Sequence, residues 1–142
     1  MLWSNGPVNI SGKRVMMSNV IDVILNYMNI VVAMPTYNEK DNVGPMIEKL
    51  CGEEFPKIKN HQMKLLIFDD YSPDGTGEIV KKKMKKYSNL YLSQGPKLGL
   101  GAGYKRGFTY AIKELKADAV MEMDVDFQHD PTDVKRFVAE LD

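Results

Sequence analysis

Four short, mainly apolar runs alternate along the chain with longer segments in which apolar residues recur at helical spacing. The runs are residues 30–34, 63–68, 90–92 and 118–123. An unbroken apolar run is typical of a strand that is buried on both faces of a sheet. The intervening segments are predicted to be helices that each bury one apolar face. The four faces are Val43, Met46, Ile47 and Leu50; Ile79, Val80, Met84 and Tyr87; Tyr104, Phe108, Ala111, Ile112 and Leu115; and Val134, Phe137, Val138 and Leu141.

This alternation of strand and helix predicts an α/β fold with a mostly parallel sheet and helices on both of its faces. In such sheets a ligand binds beyond the carboxyl ends of the strands, at the point where the strand order reverses. Three polar segments, 35–42, 69–76 and 124–130, each follow a predicted strand. The pattern therefore predicts a binding site that these three segments form together.

Prolines and glycines refine the predicted element boundaries. Pro35 is predicted to end the first strand, because proline lacks the N–H group that a strand ladder uses. Residues 51–62 are predicted to form a polar connection. The glycine-rich segment from Gly95 to Gly107 is predicted to provide a turn and close helix packing. It lacks the Gly-Lys-Ser/Thr of a phosphate loop, and no dinucleotide-binding pattern follows the first strand. Pro131 is predicted to begin the last helix.

Residues 1–28 are interpreted as an N-terminal extension that precedes the domain at 29–142. Within it, residues 4–7 predict a loop. Two interpretations of the residues that follow stand side by side. Ser18 is either the N-cap of a short amphipathic helix with the apolar positions Ile21, Ile24, Leu25 and Met28, or Met28 is the natural start and the residues before it are an upstream extension.

Composition narrows the class of protein. The chain has 142 residues, of which 44% are hydrophobic and 27% charged, as expected of one soluble globular domain or part of one. The formal net charge is zero, which argues against a nucleic-acid partner. The single Cys51 excludes an intrachain disulfide and fits a reducing compartment; we interpret it as a small packing residue. We expect neither a signal peptide nor a membrane-spanning segment.

The acid pair Asp124 and Asp126 is the leading candidate for chemistry. On a strand, residues at i and i+2 project to the same side. Two converging carboxylates repel each other unless a divalent cation lies between them, and hard cations take oxygen ligands that they share with substrate phosphates. The alternative for this pair is a solvated turn. Asp69 and Asp74 are interpreted as turn formers.

Four motifs in order carry a resemblance to a known family. They are 35–39 (Pro-Thr-Tyr-Asn-Glu), 69–76 (Asp-Asp-Tyr-Ser-Pro-Asp-Gly-Thr), 97–101 (Lys-Leu-Gly-Leu-Gly) and 124–126 (Asp-Val-Asp). Together they closely resemble the family 2 glycosyltransferases, whose fold is the Rossmann-like GT-A fold. The second and third motifs look most like those of dolichol-phosphate (polyprenol-phosphate) mannose synthases. The resemblance covers nearly everything except the N-terminal extension.

The resemblance implies a set of site residues. Three would line the nucleotide pocket, two would contact the base, and one would approach the nucleotide through its backbone. The acid pair would be catalytic, would bind Mg²⁺ or Mn²⁺ and would contact the nucleotide sugar, with one further side chain supplying a metal oxygen. In that order the residues are Pro35, Tyr37 and Glu39; Phe68 and Asp70; Val125; Asp124 and Asp126; and Gln128.

The implied reaction transfers mannose from GDP-mannose to a polyprenyl (dolichyl) phosphate with inversion. The acceptor phosphate is already anionic, so no strong general base is required; His129 is interpreted as a loop residue or a contact behind the site. The protein is expected to be cytoplasmic, with its lipid acceptor bringing it to the cytoplasmic face of a membrane.

Two small departures and one large one separate this chain from the family pattern. Tyr71 stands where a smaller residue is usual, and Val125 replaces the usual alanine. The family's catalytic domain continues well beyond the metal motif, so the chain resembles a nucleotide-binding half that a partner chain would complete.

Three alternatives stay open. The donor is a UDP-sugar instead of GDP-mannose, or the chain is a non-catalytic nucleotide-binding fragment. The third is a signalling receiver domain, in which Asp69 and Asp70 would be the acids after a strand and Asp124 would accept the phosphoryl group.

Overall fold

The computed structural model describes residues 7–10, 13–16 and 27–141 of the chain. The helix predicted from Ser18 lies outside these residues except for its last apolar position, Met28, which is not helical. So does the predicted loop at 4–7, apart from Pro7, which begins strand β1 (Pro7–Ile10). This strand pairs antiparallel with β2 (Lys13–Met16). The sequence pattern did not predict this pair, because neither strand carries an apolar run.

A four-stranded parallel sheet organises the rest of the chain, in the order β5-β4-β3-β6. Its strands are β3 (Asn29–Thr36), β4 (Gln62–Asp69), β5 (Leu90–Gln94) and β6 (Ala119–Glu122). The central strands β3 and β4 are buried along almost their whole length, as unbroken apolar runs require. The predicted parallel sheet is therefore confirmed.

Helices cover both faces of this sheet. They are α1 (Lys40–Ile47), which continues as a π-helical segment (Glu48–Glu54) and a 3₁₀ turn (Phe55–Lys57); α2 (Thr76–Met84); α3 (Leu100–Lys113); and α4 (Val134–Ala139), which follows a 3₁₀ turn (Pro131–Asp133). Core residues of α1, α2 and α4 share one cluster with β3 and β4, whereas α3 packs on the opposite face. No helix in the described part of the chain is long and apolar enough to cross a membrane.

Two predicted boundaries were wrong. Pro35 lies inside β3 rather than ending it. The pairing of β3 with β6 stops at Ala33 and Glu122, so the ladder beside β6 needs no N–H at Pro35. The predicted polar connection at 51–62 is helical as far as Lys57, because its apolar residues pack into the core. Among these, Cys51 is buried, which agrees with its interpretation as a packing residue.

The predicted buried face of α3 was right only in part, because Ala111 and, just beyond the helix, Leu115 are buried. Gly103, Gly107 and Ala111 are its buried residues, whereas Ile112 is 58% exposed. These three small residues at i, i+4 and i+8 let the helix axis approach the sheet closely. The helix begins at Leu100, within the glycine-rich segment. This segment therefore provides close helix packing, as predicted.

The predicted apolar face of α4 was right only in part. Val134 and Val138 are buried, but Phe137 and Leu141 are exposed. Phe137 lines a cavity together with Met121 and Glu122 of β6, a strand that has a partner on one side only within the described sheet.

Gly107 provides the sharpest test of the close packing of α3. A Cβ atom at this position would lie 2.6 Å from Cδ1 of the Phe68 ring. We expect Gly107→Ala to lower the free energy of unfolding by about 1–3 kcal/mol, since overpacking forces neighbouring groups to shift. Urea denaturation measures this change.

The matched control is Gly101→Ala in the first turn of the same helix, where an added Cβ meets nothing within 4 Å. This variant should be neutral or more stable by up to about 1 kcal/mol, because alanine favours helix. Equal stability of the two variants would contradict the packing described for α3.

Candidate functional site

The strand order reverses next to β3. The chain passes from β3 to β4 and β5 on one side, and β6 then lies on the other side of β3. The carboxyl ends of β3 and β6 therefore border the crevice where ligands bind in sheets of this kind. The predicted polar segment 35–42 begins within the end of β3, and segment 124–130 follows β6, so the structure places both segments at the reversal point.

Hydrogen bonds join the loop after β3 to the loop after β4. Three consecutive backbone N–H groups of the first loop donate to side-chain oxygens of the second. The pairs are Asn38 N–H to Ser72 Oγ at 3.0 Å, Glu39 N–H to Thr76 Oγ1 at 2.9 Å, and Lys40 N–H to Asp74 Oδ2 at 3.1 Å. Because the Glu39 and Lys40 N–H groups lie at the start of α1, where the helix itself offers them no acceptor, the second loop acts as the cap of that helix.

Asp69 lies behind these loops and is fully buried. Its Oδ1 accepts hydrogen bonds from Thr36 Oγ1 at 2.9 Å and Ser72 Oγ at 2.5 Å. Its Oδ2 accepts from Ser72 N–H at 3.0 Å and Gln94 Nε2 at 3.1 Å. One carboxylate thereby joins the carboxyl ends of β3, β4 and β5. This agrees with its interpretation as a structural residue.

Asp74 has a similar local role. Partial desolvation raises the pKa of its carboxyl group, but hydrogen bonds from the Thr76 hydroxyl, the Thr76 N–H and the Lys40 N–H outweigh that effect. The net pKa lies below its ordinary value. The charged form of Asp74 therefore holds the turn that begins α2.

The predicted acid pair follows β6 rather than lying on it. Met123 and Val125 are only 4% and 3% exposed, whereas Asp124 and Asp126 alternate with them and reach solvent. This alternation puts both carboxylates on the side that faces away from the core. Val125 is thus a core residue whose side chain points away from its two acidic neighbours.

The loop after the acid pair turns sharply. Asp126 Oδ1 accepts the N–H of Gln128 at 3.0 Å, and Phe127 has a left-handed backbone with φ of 64°. The side chain of Gln128 is exposed. Among the described residues, none donates a hydrogen bond to the second oxygen of Asp126.

His129 contacts Asp124 through its ring. Its Nδ1 accepts the Asp124 N–H at 3.2 Å, and the same atom lies 3.9 Å from Asp124 Oδ2. The shorter contact is the hydrogen bond, and it joins the imidazole to the backbone of the acid-pair loop. This supports the interpretation of His129 as a loop residue. Asp130 accepts from the N–H and hydroxyl of Thr132, and these bonds hold its pKa below the ordinary value.

The two residues expected to contact a base have different surroundings. The Phe68 ring is 1% exposed and packs edge-on against the Tyr104 ring, with 5.5 Å between centroids. Any contact from Phe68 to a ligand would therefore come from its backbone. The Asp70 carboxylate forms an ion pair with Arg106 at 2.7 Å, and Arg106 was not among the predicted site residues.

The expected pocket residues of the first loop lie around Tyr37. This side chain is exposed, and the Lys97 Nζ lies 3.4 Å from its ring centroid, within the range of a cation–π contact. Pro35 is half-buried. Glu39 precedes α1 and its Oε2 accepts from Asn42 Nδ2 at 2.9 Å. The loop thus presents one aromatic ring with a cation above it.

Tyr104 is a further site residue that the sequence pattern assigned only to packing. Its hydroxyl donates to Glu122 Oε1 at 3.0 Å. Burial, the hydrogen bond to Glu122 and the charges of Glu122 and Asp124 raise the pKa of Tyr104 to about 12. It connects α3 to the end of β6 and stays a protonated hydrogen-bond donor at neutral pH. Helical spacing could not show this, because the hydroxyl points out of an otherwise apolar side chain.

The donor set at the acid pair fits a hard divalent cation that a ligand helps to hold. The described residues contain no group of three or more His, Cys, Asp or Glu side chains arranged to hold a metal ion. Two carboxylates alone are too few ligands for Mg²⁺ or Mn²⁺, but such ions commonly take one or two carboxylates together with substrate phosphates. Asp124 and Asp126 suit that shared arrangement.

Comparison with known proteins gives the family. The family model described as glycosyl transferase family 2 matches residues 31–142. The chain therefore belongs to glycosyl transferase family 2, as the motifs predicted. A signalling receiver domain has no support from this match.

Two similar relatives are named as mannose-transferring enzymes. The chain is 30% identical over 111 residues to the dolichol-phosphate mannosyltransferase of Pyrococcus furiosus, covering 78% of this chain and 29% of the relative. It is 32% identical over 114 residues to the polyprenol monophosphomannose synthase of Mycolicibacterium smegmatis, covering 79% and 40%. The chain thus spans less than half the length of either relative.

Solved structures confirm the predicted GT-A fold. S. aureus TarS 1-349 in complex with UDP matches with a TM-score of 0.53 and 28% identity, over 80% of this chain and 32% of that one. The mannosyltransferase PcManGT from Pyrobaculum calidifontis, in complex with GDP-Man and Mn²⁺, matches with a TM-score of 0.56 and 18% identity, over 95% and 34%. At that identity the second match concerns the fold alone.

Asp69→Asn tests whether the buried carboxylate supports the loops. The amide keeps the shape but offers one acceptor oxygen, so at least one buried donor loses its partner. We expect the free energy of unfolding to fall by about 1–3 kcal/mol, as measured by urea denaturation.

Asp118→Asn is the matched control, since Asp118 is exposed and accepts one backbone hydrogen bond, from Asn29. It should change stability by less than about 0.5 kcal/mol. If Asp69→Asn were as stable as the wild type, Asp69 would not support the loops as described.

Proposed function

We propose that this chain is the nucleotide-sugar-binding part of a glycosyltransferase that transfers mannose from GDP-mannose to a polyprenyl (dolichyl) phosphate, with inversion. The observation that carries the proposal is the position of the acid pair. Asp124 and Asp126 face away from the core at the strand-order reversal, next to a loop that is bonded to its neighbour through three backbone N–H groups. Membership of the family and the names of the two relatives support the sugar-transfer chemistry.

In this proposal the loops recognise the nucleotide. Pro35, Tyr37 and Glu39 line its pocket. Asp70 accepts hydrogen bonds from base N–H groups, and Phe68 contributes its backbone. The exposed Tyr37 ring gives the pocket an apolar face.

The acid pair holds the diphosphate end of the donor. Asp124 and Asp126 would bind Mg²⁺ or Mn²⁺, with Gln128 supplying a further oxygen and the Val125 backbone lying near the nucleotide. The bound cation supplies Lewis-acid stabilisation of the charge on the departing nucleoside diphosphate. The Mn²⁺ named with the Pyrobaculum calidifontis structure supports a divalent cation in this fold.

The chain's own residues need not supply a strong base. The acceptor oxygen belongs to a phosphate that is already anionic. The contacts of His129 and Asp130 agree with this, because His129 Nδ1 accepts the backbone N–H of Asp124 and the Asp130 carboxylate accepts the N–H of Thr132. These two residues shape the loop that presents Asp124 and Asp126.

In this proposal residues 29–142 form the nucleotide-sugar-binding part of the glycosyltransferase domain. Residues 1–28 are an N-terminal extension. A second segment or partner chain would supply the rest of the acceptor site, because the chain spans only 29% and 40% of its two relatives. The lipid acceptor would bring the protein to the cytoplasmic face of a membrane as a peripheral protein.

A UDP-sugar donor is the second candidate. The observation that favours it is the match to TarS in complex with UDP at 28% identity. A carboxylate such as Asp70 can accept from the N–H groups of either base, so the base is decided by pocket shape.

Calorimetric titration of the chain with GDP and with UDP, each with and without Mn²⁺, tests the proposal. We expect GDP to bind in the presence of Mn²⁺ and to bind about tenfold or more weakly without it, since the cation joins the acid pair to the diphosphate. Asp126→Asn should lose the Mn²⁺-dependent part of the affinity while keeping the hydrogen bond to Gln128 N–H.

Asp118→Asn again serves as the matched control and should bind as the wild type does. Tighter binding of UDP than of GDP would indicate that the donor is a UDP-sugar, and the proposed site residues would be unchanged. A folded wild-type chain that binds neither nucleotide would contradict the proposed function.

A further inference from the structure

Arg106 reaches from α3 to the end of β4 and holds Asp70 there. Its Nη2 donates to Asp70 Oδ1 at 2.7 Å and lies 3.3 Å from the Asp69 carbonyl oxygen. The Arg106 and Asp70 side chains are only 22% and 18% exposed. A charge-assisted hydrogen bond at this depth is less screened than an ion pair on the surface. The pair is therefore a fixed part of the site.

One glycine makes room for this ion pair, and a second lies beside it. A Cβ atom at Gly95 would lie 2.5 Å from Nη1 and 2.8 Å from Cζ of Arg106, so the guanidinium lies directly against the Gly95 backbone. A Cβ at Gly103 would lie 3.5 Å from Asp70 Oδ1. The segment after β5 and the first turns of α3 thus enclose the pair from two sides.

Both the backbone and the side chain of Asp70 are held in place by neighbouring groups. It directly follows Asp69, whose carboxylate fixes the ends of three strands, and its N–H donates to the Thr36 carbonyl oxygen at 3.1 Å. The backbone of Asp70 is therefore fixed, and its side chain is fixed by Arg106 through Oδ1. Within the described residues the other oxygen, Oδ2, accepts no hydrogen bond, so it can accept one from a ligand.

We infer that Arg106 is a positioning residue for base recognition: it orients the Asp70 carboxylate so that the carboxylate accepts hydrogen bonds from the N–H edge of the nucleobase. This inference rests on the proposed function, in which Asp70 contacts the base. Arg106 does not touch the diphosphate or the acid pair in this arrangement. Its contribution to affinity therefore depends on the ligand having a base.

That dependence separates positioning from a merely structural role. If Arg106 only joined α3 to β4, its loss would loosen the whole site and weaken every ligand. If it orients Asp70, its loss weakens a nucleoside diphosphate and spares a diphosphate without a base. Inorganic pyrophosphate with Mn²⁺ is the probe without a base.

The experiment is calorimetric titration of Arg106→Met with GDP, UDP and pyrophosphate, each in the presence of Mn²⁺. We expect the affinity for the preferred nucleotide to fall about tenfold, as is typical when the residue that orients a binding side chain is removed. The affinity for pyrophosphate should stay within about twofold of the wild-type value. Arg136→Met is the matched control, because Arg136 forms a surface ion pair with Asp133 at 3.4 Å and is 67% exposed. It should alter neither affinity.

Gly95→Ala is a second variant, which keeps Arg106 but displaces its guanidinium. It tests the same role if Arg106→Met fails to fold. The added methyl group meets the far end of the flexible Arg106 side chain, so the chain should fold with the guanidinium shifted. We expect the same selective loss of nucleotide affinity. In addition, Asp70→Asn and Arg106→Met should be non-additive in a double-mutant cycle, because both act through one carboxylate.

The outcomes distinguish the two proposals. A wild-type chain that binds neither GDP nor UDP overturns the proposed function and this inference with it. Wild-type nucleotide affinity in a folded Arg106→Met or Gly95→Ala variant overturns the positioning role alone. Equal losses for the nucleotide and for pyrophosphate also overturn it, since they indicate general loosening of the site.

Discussion

The candidate site depends on one buried carboxylate. Asp69 accepts four hydrogen bonds from Thr36, Ser72 and Gln94 while fully buried, and a buried charge is tolerated only when its oxygens are satisfied in this way. Because its donors come from the ends of β3 and β5 and from the loop after β4, the carboxylate fixes three adjacent chain segments relative to one another. The backbone N–H groups of Asn38, Glu39 and Lys40 then donate to side chains of the segment that follows β4. The side chains that would meet a ligand are thereby presented from a rigid base, which is the arrangement that recognition requires.

A second constraint is the close approach of α3 to the sheet. Gly103, Gly107 and Ala111 are buried on one face of the helix, so the helix lies near enough for Tyr104 to reach Glu122 and for Arg106 to reach Asp70. Larger residues on that face would hold the helix away and break both contacts. The same small residues that permit packing therefore also bring two polar groups into the site. In the proposed site the same face of α3 would serve both stability and recognition, and a change at Gly107 is expected to affect both.

The sequence predicted what depends on local patterns. Apolar runs such as Ile30–Met34 located the strands, and polar residues after each run located the loops, because both follow from burial alone. The alternation also predicted that Asp124 and Asp126 face the same way, although they follow β6 rather than lie on it. Contacts between distant residues were not predictable. Arg106 meets Asp70 across 36 residues of sequence, and no spacing signals that partnership. Pro35 was misjudged for a related reason, since its missing N–H is harmless only because β6 ends two residues earlier in the register.

The central claim is that the acid pair and the two bonded loops form one nucleotide site. Broadening of backbone amide NMR signals by Mn²⁺, recorded with and without GDP, tests this most directly because a paramagnetic ion broadens signals according to distance. In the presence of GDP we expect the signals of Asp124, Asp126 and Gln128 to broaden first, followed by those of Tyr37 and Asp70. Signals of Leu115, which contacts Asn29 at the opposite end of β3, should stay sharp. Broadening that does not depend on GDP, or that centres on acids away from residues 124–128, would contradict the account.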